Sequence, residues 1–331
     1  METVRWGIIG VGDVTEVKSG PAFQKAAGSQ LVAVMRRTGA KAADYAARHG
    51  VPRWYDNADE LIHDDEVDAV YVATPPDSHR EYAIRVLEAG KPVYVEKPMA
   101  RSASECIQMN DAAESAGLPL FVAYYRRAMP RFETVRRLLT EGAIGRLQAV
   151  TIRQLRPADP TDGDVLPWRL RPDVSGGGHF VDLGSHTLDL LDHLVGPIEH
   201  VTGHAKNRAG TGAAEDLVGA VLQFESGVVG TGLWCFDAGE ELDEVQLVGS
   251  RGTLSFSVFD EQPLELRTND GLQSIPAPYP DTVQQPLVQS VVDELLGRGM
   301  SPSTGVSALR TARVVDAILT DHRAAHGVTL G

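Results

Sequence analysis

Short, nearly continuous apolar runs recur through the first 125 positions: Val4-Arg5-Trp6-Gly7-Ile8-Ile9, Leu31-Val32-Ala33-Val34-Met35, Ala69-Val70-Tyr71-Val72-Ala73, Val93-Tyr94-Val95 and Leu120-Phe121-Val122-Ala123. Runs of this kind suit strands covered on both faces. Between them lie stretches with helical character, Lys41 to His49, Ser78 to Ala89 and Ser102 to Ala116, each followed by a glycine, a helix stop signal. Strands alternating with helices predict an α/β unit with a parallel, doubly wound sheet.

The pattern changes after Gly145. The stretches 146–156, 216–224, 227–236, 244–248 and 252–259 read as strands joined by tight turns such as Glu225-Ser226-Gly227. They predict a mostly antiparallel sheet, hence an α+β second domain. A helix over Phe180 to Leu194 interrupts them, and helical patterns over Val288 to Leu296 and Val306 to His322 close the chain. Another helical stretch, Pro130 to Glu141, marks the boundary region. The expected domains are 1–125 and 126–331, with the final helix placed to pack back on the first domain.

Composition narrows the function. The chain has 331 residues, 43% of them apolar, which suffices for two cores. With 45 acidic against 31 basic residues and a net charge of -14, it would repel nucleic acid and anionic membranes. Arg126, Arg127, Arg131, Arg136 and Arg137 form a local basic cluster, most of which reads as a solvated helix face. Cys106 and Cys235 belong to no ligand pattern, so neither a disulfide framework nor a metal site is expected. No apolar stretch has the length of a membrane span or a signal peptide. The reading is a reduced, cytoplasmic protein.

Three groups of residues carry chemistry. Gly10-Val11-Gly12-Asp13-Val14-Thr15 follows the first strand and opens a helix-like stretch. Such a turn lets backbone amides approach a pyrophosphate, although Thr15 stands where the dinucleotide fingerprint wants Gly or Ala. The second strand ends in Arg36-Arg37-Thr38, with no carboxylate for a ribose 2′-hydroxyl. Two guanidiniums and a hydroxyl suit a 2′-phosphate, so NADP is favoured and NAD stays open. Thr74-Pro75-Pro76-Asp77-Ser78-His79 follows the third predicted strand and borders the same crevice; His79 either faces the cofactor or caps the next helix.

Lys97, in Glu96-Lys97-Pro98, lies at the carboxyl end of another parallel strand. A partly desolvated lysine can stabilise an alkoxide or take its proton. Glu96 would tune it or contact the nicotinamide side, and the isomer of the bond to Pro98 stays open. Asp182 and His186 follow Gly176-Gly177-Gly178 and are four apart, which in a helix places them on one face, with Asp189 nearly so. An imidazole titrates near neutrality and suits a proton relay; Asp182 would orient it or bind a substrate hydroxyl.

Together, the Gly10–Gly12 turn, Glu96-Lys97-Pro98 and the pattern Gly-Gly-Gly-x-x-x-Asp-x-Gly-x-His-x-x-Asp over Gly176–Asp189 resemble the Gfo/Idh/MocA oxidoreductase family across nearly the whole chain. The resemblance implies a Rossmann domain, a second domain with an open sheet that mediates dimer or tetramer contacts, a nicotinamide cofactor and a sugar, polyol or similar hydroxylated substrate. It implies Lys97, Asp182 and His186 as catalytic and substrate-binding residues, Thr74, Pro75 and His79 on the cofactor side, and Trp168-Arg169 as a pair reaching the cofactor from the second domain. Tyr125, in Tyr124-Tyr125-Arg126-Arg127, stands where many relatives carry an amide near the nicotinamide, so substrate preference does not transfer. The expectation is an NAD(P)-dependent oxidoreductase. Two alternatives are a glycosidase acting by transient oxidation and a non-catalytic NADP sensor.

Overall fold

A computed structural model of the chain describes residues 2–158, 166–210 and 212–330. Met1 and Gly331, the outer ends of the two expected domains, lie outside them. The chain divides into two compact units, Met1–Met129 with Pro280–Leu309, and Pro130–Tyr279 with Arg310–Gly331.

The first unit is built on strands β1 (Val4–Ile9), β2 (Ser29–Met35), β3 (Arg53–Tyr55), β4 (Ala69–Val72), β5 (Val93–Val95) and β6 (Leu120–Val122). Their order is β3-β2-β1-β4-β5-β6, with every pairing parallel. The predicted apolar runs account for all but β3, which is half exposed at the sheet edge. The order reverses between β1 and β4, the place where open α/β sheets bind ligands. Beneath it, Trp6, Phe23, Tyr71 and Tyr94 form a buried aromatic cluster, with ring centroids 4.9 Å apart for Trp6–Phe23 and 5.0 Å for Tyr71–Tyr94. The helix Gln285–Leu295 adds Leu287, Val288, Val291 and Val292 to this core from one face.

The second unit carries β7 (Leu147–Leu155), β8 (Ile198–Lys206), β9 (Leu217–Phe224), β10 (Val229–Cys235), β11 (Leu242–Gly249), β12 (Gly252–Phe256), β13 (Leu264–Thr268) and β14 (Gly271–Ile275). They form one sheet ordered β14-β13-β12-β11-β7-β10-β9-β8, antiparallel except where β10 pairs with β7. Burial alternates along the central strands, so one face is packed and the other is open. Helical residues cover the packed face: Phe132 meets Phe256, and Phe180 meets Trp234. β8, β13 and β14 were not read from the sequence.

The basic cluster departs from the sequence reading. Arg136 and Arg137 are exposed and paired with Glu133 and Glu141, but Arg126, Arg127 and Arg131 are buried. Arg131 donates to the carbonyls of Ala277 and Gln262 at 2.9 and 2.7 Å, and its guanidinium lies over the Phe132 and Tyr279 rings. Backbone dipoles and π faces take the place of water there. Among the described residues no helix is long and apolar enough to cross a membrane.

Candidate active site

The carboxyl ends of the parallel strands gather four of the predicted segments along one edge of the first unit: Gly10–Gly12 after β1, Arg36–Thr38 after β2, Thr74–His79 after β4 and Glu96–Pro98 after β5. Gly10 has φ +95°, and a Cβ there would fall 2.7 Å from Thr74 Cγ2 and 2.9 Å from Thr74 N. The turn therefore closes tightly against the loop after β4 and admits only glycine. At Gly12 a Cβ would meet nothing nearer than Gly10 O at 4.0 Å, leaving room for a ligand above the backbone. Asp13 and Val14 begin the following helix, so their amides have no acceptor within it. This open glycine beside helix-start amides fits a dinucleotide pyrophosphate.

Thr15 has a local structural role. Its hydroxyl accepts from Gly12 N and donates to Gly12 O, both at 2.8 Å, and its carbonyl accepts from the buried Tyr45 hydroxyl at 2.9 Å. The residue that departs from the glycine fingerprint thus braces the turn itself. Arg36 is half-buried at the end of β2, and Arg37 and Thr38 are exposed beyond it.

Glu96 is the best-held carboxylate of this edge. It is 7% exposed and accepts from Tyr71 Oη at 2.5 Å, from Gln284 Nε2 at 3.0 Å and from the Lys97 amide at 3.0 Å. Burial and the Glu96 charge push the Tyr71 phenol well above its ordinary pKa, so it serves as a donor. This geometry fixes the backbone at Lys97, whose bond to Pro98 is cis and whose side chain is half-buried. His79 is fully buried, its ring between Thr74 O at 2.7 Å and Pro98 O at 3.0 Å. It ties the loop after β4 to the loop after β5 instead of capping its helix. Burial lowers its pKa, against the pull of the two carbonyls and Glu96. Tyr125 is partly buried, with the Arg126 guanidinium 4.8 Å above its ring.

The second unit brings together the other predicted residues. Asp182 lies in a π-helical turn, Phe180–Gly184, that runs directly into the α-helix Ser185–Val195 carrying His186 and Asp189. The sequence spacing assumed one regular helix; the wider turn places an extra residue before His186. Arg169 stacks on Trp168 and its Nε lies 3.3 Å from Asp182 Oδ2, so this pair adjoins the acid directly. His186 is 4% exposed, its ring 6.0 Å from that of Phe259 in an edge-on arrangement. Asp189 is buried and accepts from Thr311 Oγ1 at 3.3 Å.

Sequence reasoning missed the support beneath this segment. Glu215 is buried and holds the Gly178 amide with both carboxylate oxygens, each at 2.8 Å. Arg323 donates to Gly176 O at 3.0 and 2.7 Å from the other side. The signal for Glu215 was an acid standing immediately before an apolar strand.

Comparison with known proteins agrees with this architecture. Residues 4–124 match an oxidoreductase family with an NAD-binding Rossmann fold, and residues 132–255 match the GFO/IDH/MocA C-terminal domain. The chain is 39% identical over 317 residues to Oxidoreductase P35 of Formosa agariphila, covering 95% of this chain and 97% of that one. It is 28% identical over 307 residues to the 1,5-anhydro-D-fructose reductase of Ensifer adhaerens, covering 91% of each. The crystal structure of an aldose-aldose oxidoreductase from Caulobacter crescentus, complexed with glycerol, has the same fold with a TM-score of 0.86 at 26% identity over 98% of both chains. The chain belongs to the GFO/IDH/MocA oxidoreductase family. It is an enzyme of the nicotinamide-dependent dehydrogenase and reductase class.

Proposed function

We propose that this enzyme transfers hydride between a nicotinamide cofactor, NADP in preference to NAD, and a carbinol or carbonyl carbon of a sugar, polyol or similar hydroxylated small molecule. The observation that carries this reading is the three-donor clamp on Glu96, which fixes Lys97 at the strand-end edge that also holds the Gly10–Gly12 turn. Relatives named for 1,5-anhydrofructose and aldose chemistry support a sugar-type substrate. The guanidiniums of Arg36 and Arg37 at the end of β2 support a 2′-phosphate on the cofactor.

When bound, the nicotinamide supplies the hydride acceptor or donor. Lys97 is assigned the hydroxyl proton, taken from the alcohol as hydride leaves carbon and returned in the reverse direction, and His186 is assigned the relay of that one proton. Asp182 positions the substrate hydroxyl, with Arg169 Nε 3.3 Å from its Oδ2 fixing the carboxylate's orientation. Exposed Val221, Val229 and Leu233 on the open face of the second sheet support association of copies of the chain, which light scattering would measure.

The test is Lys97→Met. Turnover, followed at the reduced-nicotinamide absorbance band, should fall about a hundredfold to ten-thousandfold, the range for loss of a proton-transfer group, while fluorescence titration shows NADPH binding retained. Turnover near that of the wild type would overturn the assignment.

A further inference from the structure

His79 joins two of the loops at the strand-end edge of the first unit. It opens the helix His79–Glu88, and its ring is fully buried. Nε2 lies 2.7 Å from the carbonyl oxygen of Thr74, and Nδ1 lies 3.0 Å from that of Pro98. A Cβ at Gly10 would fall 2.9 Å from Thr74 N, so the glycine turn closes on the same residue that the imidazole holds. Pro98 directly follows Lys97. A line of contacts therefore runs from the Gly10–Gly12 turn, through Thr74, the imidazole and Pro98, to the lysine.

Both ring nitrogens face acceptors. A neutral imidazole carries one N–H, so it donates to one carbonyl and sets a lone pair against the other. Only the imidazolium donates to both. Burial opposes that charge and lowers the pKa of the ring from the ordinary 6.5. The groups that pull the other way are the carbonyls of Thr74 and Pro98, the Glu96 carboxylate after β5 and the backbone of Met99. Glu96 is the charged group among them. The donors that hold it, Tyr71 Oη, Gln284 Nε2 and the Lys97 amide, are all neutral and leave its charge to act on the ring.

These influences balance closely enough for a ligand to tip them. A dinucleotide at the Gly10–Gly12 turn brings two phosphate charges to the loop whose Thr74 carbonyl faces the ring, and negative charge favours the imidazolium. We propose that cofactor binding is accompanied by uptake of a proton on His79, and that the doubly bonded imidazolium fixes the turn that carries Lys97. His79 is thus a positioning residue, acting on the lysine through Pro98. The inference rests on the reading above that the dinucleotide lies at this edge with Lys97 beside its reacting end.

The test titrates NADPH and NADH by calorimetry into the wild type, His79→Gln and His79→Asn. Measurements at about pH 6 and 7.5, in paired buffers of different ionisation enthalpy, count the protons exchanged on binding. Glutamine aims an N–H donor toward the Nε2 position and asparagine toward Nδ1, and neither titrates. Near-UV circular dichroism verifies that the variants fold. The wild type should take up roughly half a proton to one proton more than either variant, and its affinity should fall about three- to tenfold further over this range. The sign follows from linkage. Binding favours the protonated ring, so affinity is greatest below the free-state pKa, itself below 6.5, and falls as pH rises through the bound-state one. The 2′-phosphate of NADPH also titrates, at about pH 6, but equally in all three proteins. Equal uptake in the wild type and a folded variant would overturn the proposal, as would release of a proton. So would NADH binding to the wild type without uptake, a result that needs no variant. Lys97→Met should keep the proton uptake. Uptake there with turnover like that of the wild type removes only the lysine assignment, whereas lost turnover with no uptake in the wild type removes only the role of His79.

Discussion

Glu215 holds the Gly178 amide between its two carboxylate oxygens, each 2.8 Å away, and a Cβ at Gly178 would fall 2.5 Å from the Glu215 carbonyl oxygen. Acid and glycine are therefore fitted to each other, and the segment that continues into Asp182 and His186 starts from this contact. Glu215→Ala leaves the Gly178 and Val181 amides buried without an acceptor. The expected cost is about 1–3 kcal/mol for each donor that water cannot reach. Glu215→Gln keeps an oxygen acceptor and should cost about 1 kcal/mol. Urea unfolding measures both; equal losses in the two variants would show that the bond to Gly178 is not what stabilises the loop.

The same carboxylate makes stability depend on pH. Burial raises the Glu215 pKa above its ordinary 4.5, outweighing the amides and Arg323 that favour the charged form. The folded state then binds this proton more tightly than the unfolded chain does. Its contribution is full below the unfolded pKa and is lost as pH rises through the folded one. Glu215→Gln cannot titrate, so its stability should decline less than that of the wild type from about pH 4.5 upward. Unfolding free energies collected between about pH 4 and 8 give the two slopes, and identical slopes would remove Glu215 as the source.

Tyr71 and Glu96 predict a second, separable effect. Tyr71→Phe removes one of three donors from a carboxylate that is 7% exposed. Hydrogen bonds to charged groups contribute about 1.5–3 kcal/mol, so a loss in that range is expected. Because Glu96 also accepts from the Lys97 amide, kcat should fall several-fold while NADPH affinity stays close to that of the wild type. Stopped-flow turnover and fluorescence titration read the two quantities. A loss confined to cofactor affinity would place Glu96 at the cofactor and not beneath the lysine.

The strand-end edge of the first unit was legible because β1, β2, β4, β5 and β6 are apolar on both faces, a pattern local to each run. The short β3 and the outermost β14 are edge strands, and β13 pairs between β14 and β12; all three carry polar, exposed positions, which local pattern cannot tell from loop. Arg131 was misread because its acceptors, the carbonyls of Gln262 and Ala277, lie 131 and 146 residues away in sequence. Burial of a charge depends on such distant partners, whereas pattern reading treats each charge as a surface group. The sequence reading set the final helix against the first domain, an assignment that pattern alone does not carry, since an amphipathic face states only that something covers it.

Arg36 and Arg37 give the cofactor preference its own test. Arg36 is half-buried at the end of β2 with its amide bonded to Tyr55 O at 3.2 Å, whereas Arg37 extends into solvent. A half-buried side chain loses less freedom on binding than an exposed one, so Arg36 is expected to carry more of the 2′-phosphate affinity. Arg36→Ala should weaken NADPH binding by about tenfold to a hundredfold, the range of a charge-assisted hydrogen bond, and leave NADH binding within about threefold. Arg37→Ala should have a smaller effect that shrinks further as ionic strength rises, because salt screens exposed charges. Parallel titrations of NADPH and NADH at low and high salt distinguish these outcomes. If Arg36→Ala weakens both cofactors equally, the strand-end arginines do not read the 2′-phosphate, and the preference for NADP loses its physical basis while the oxidoreductase assignment stands.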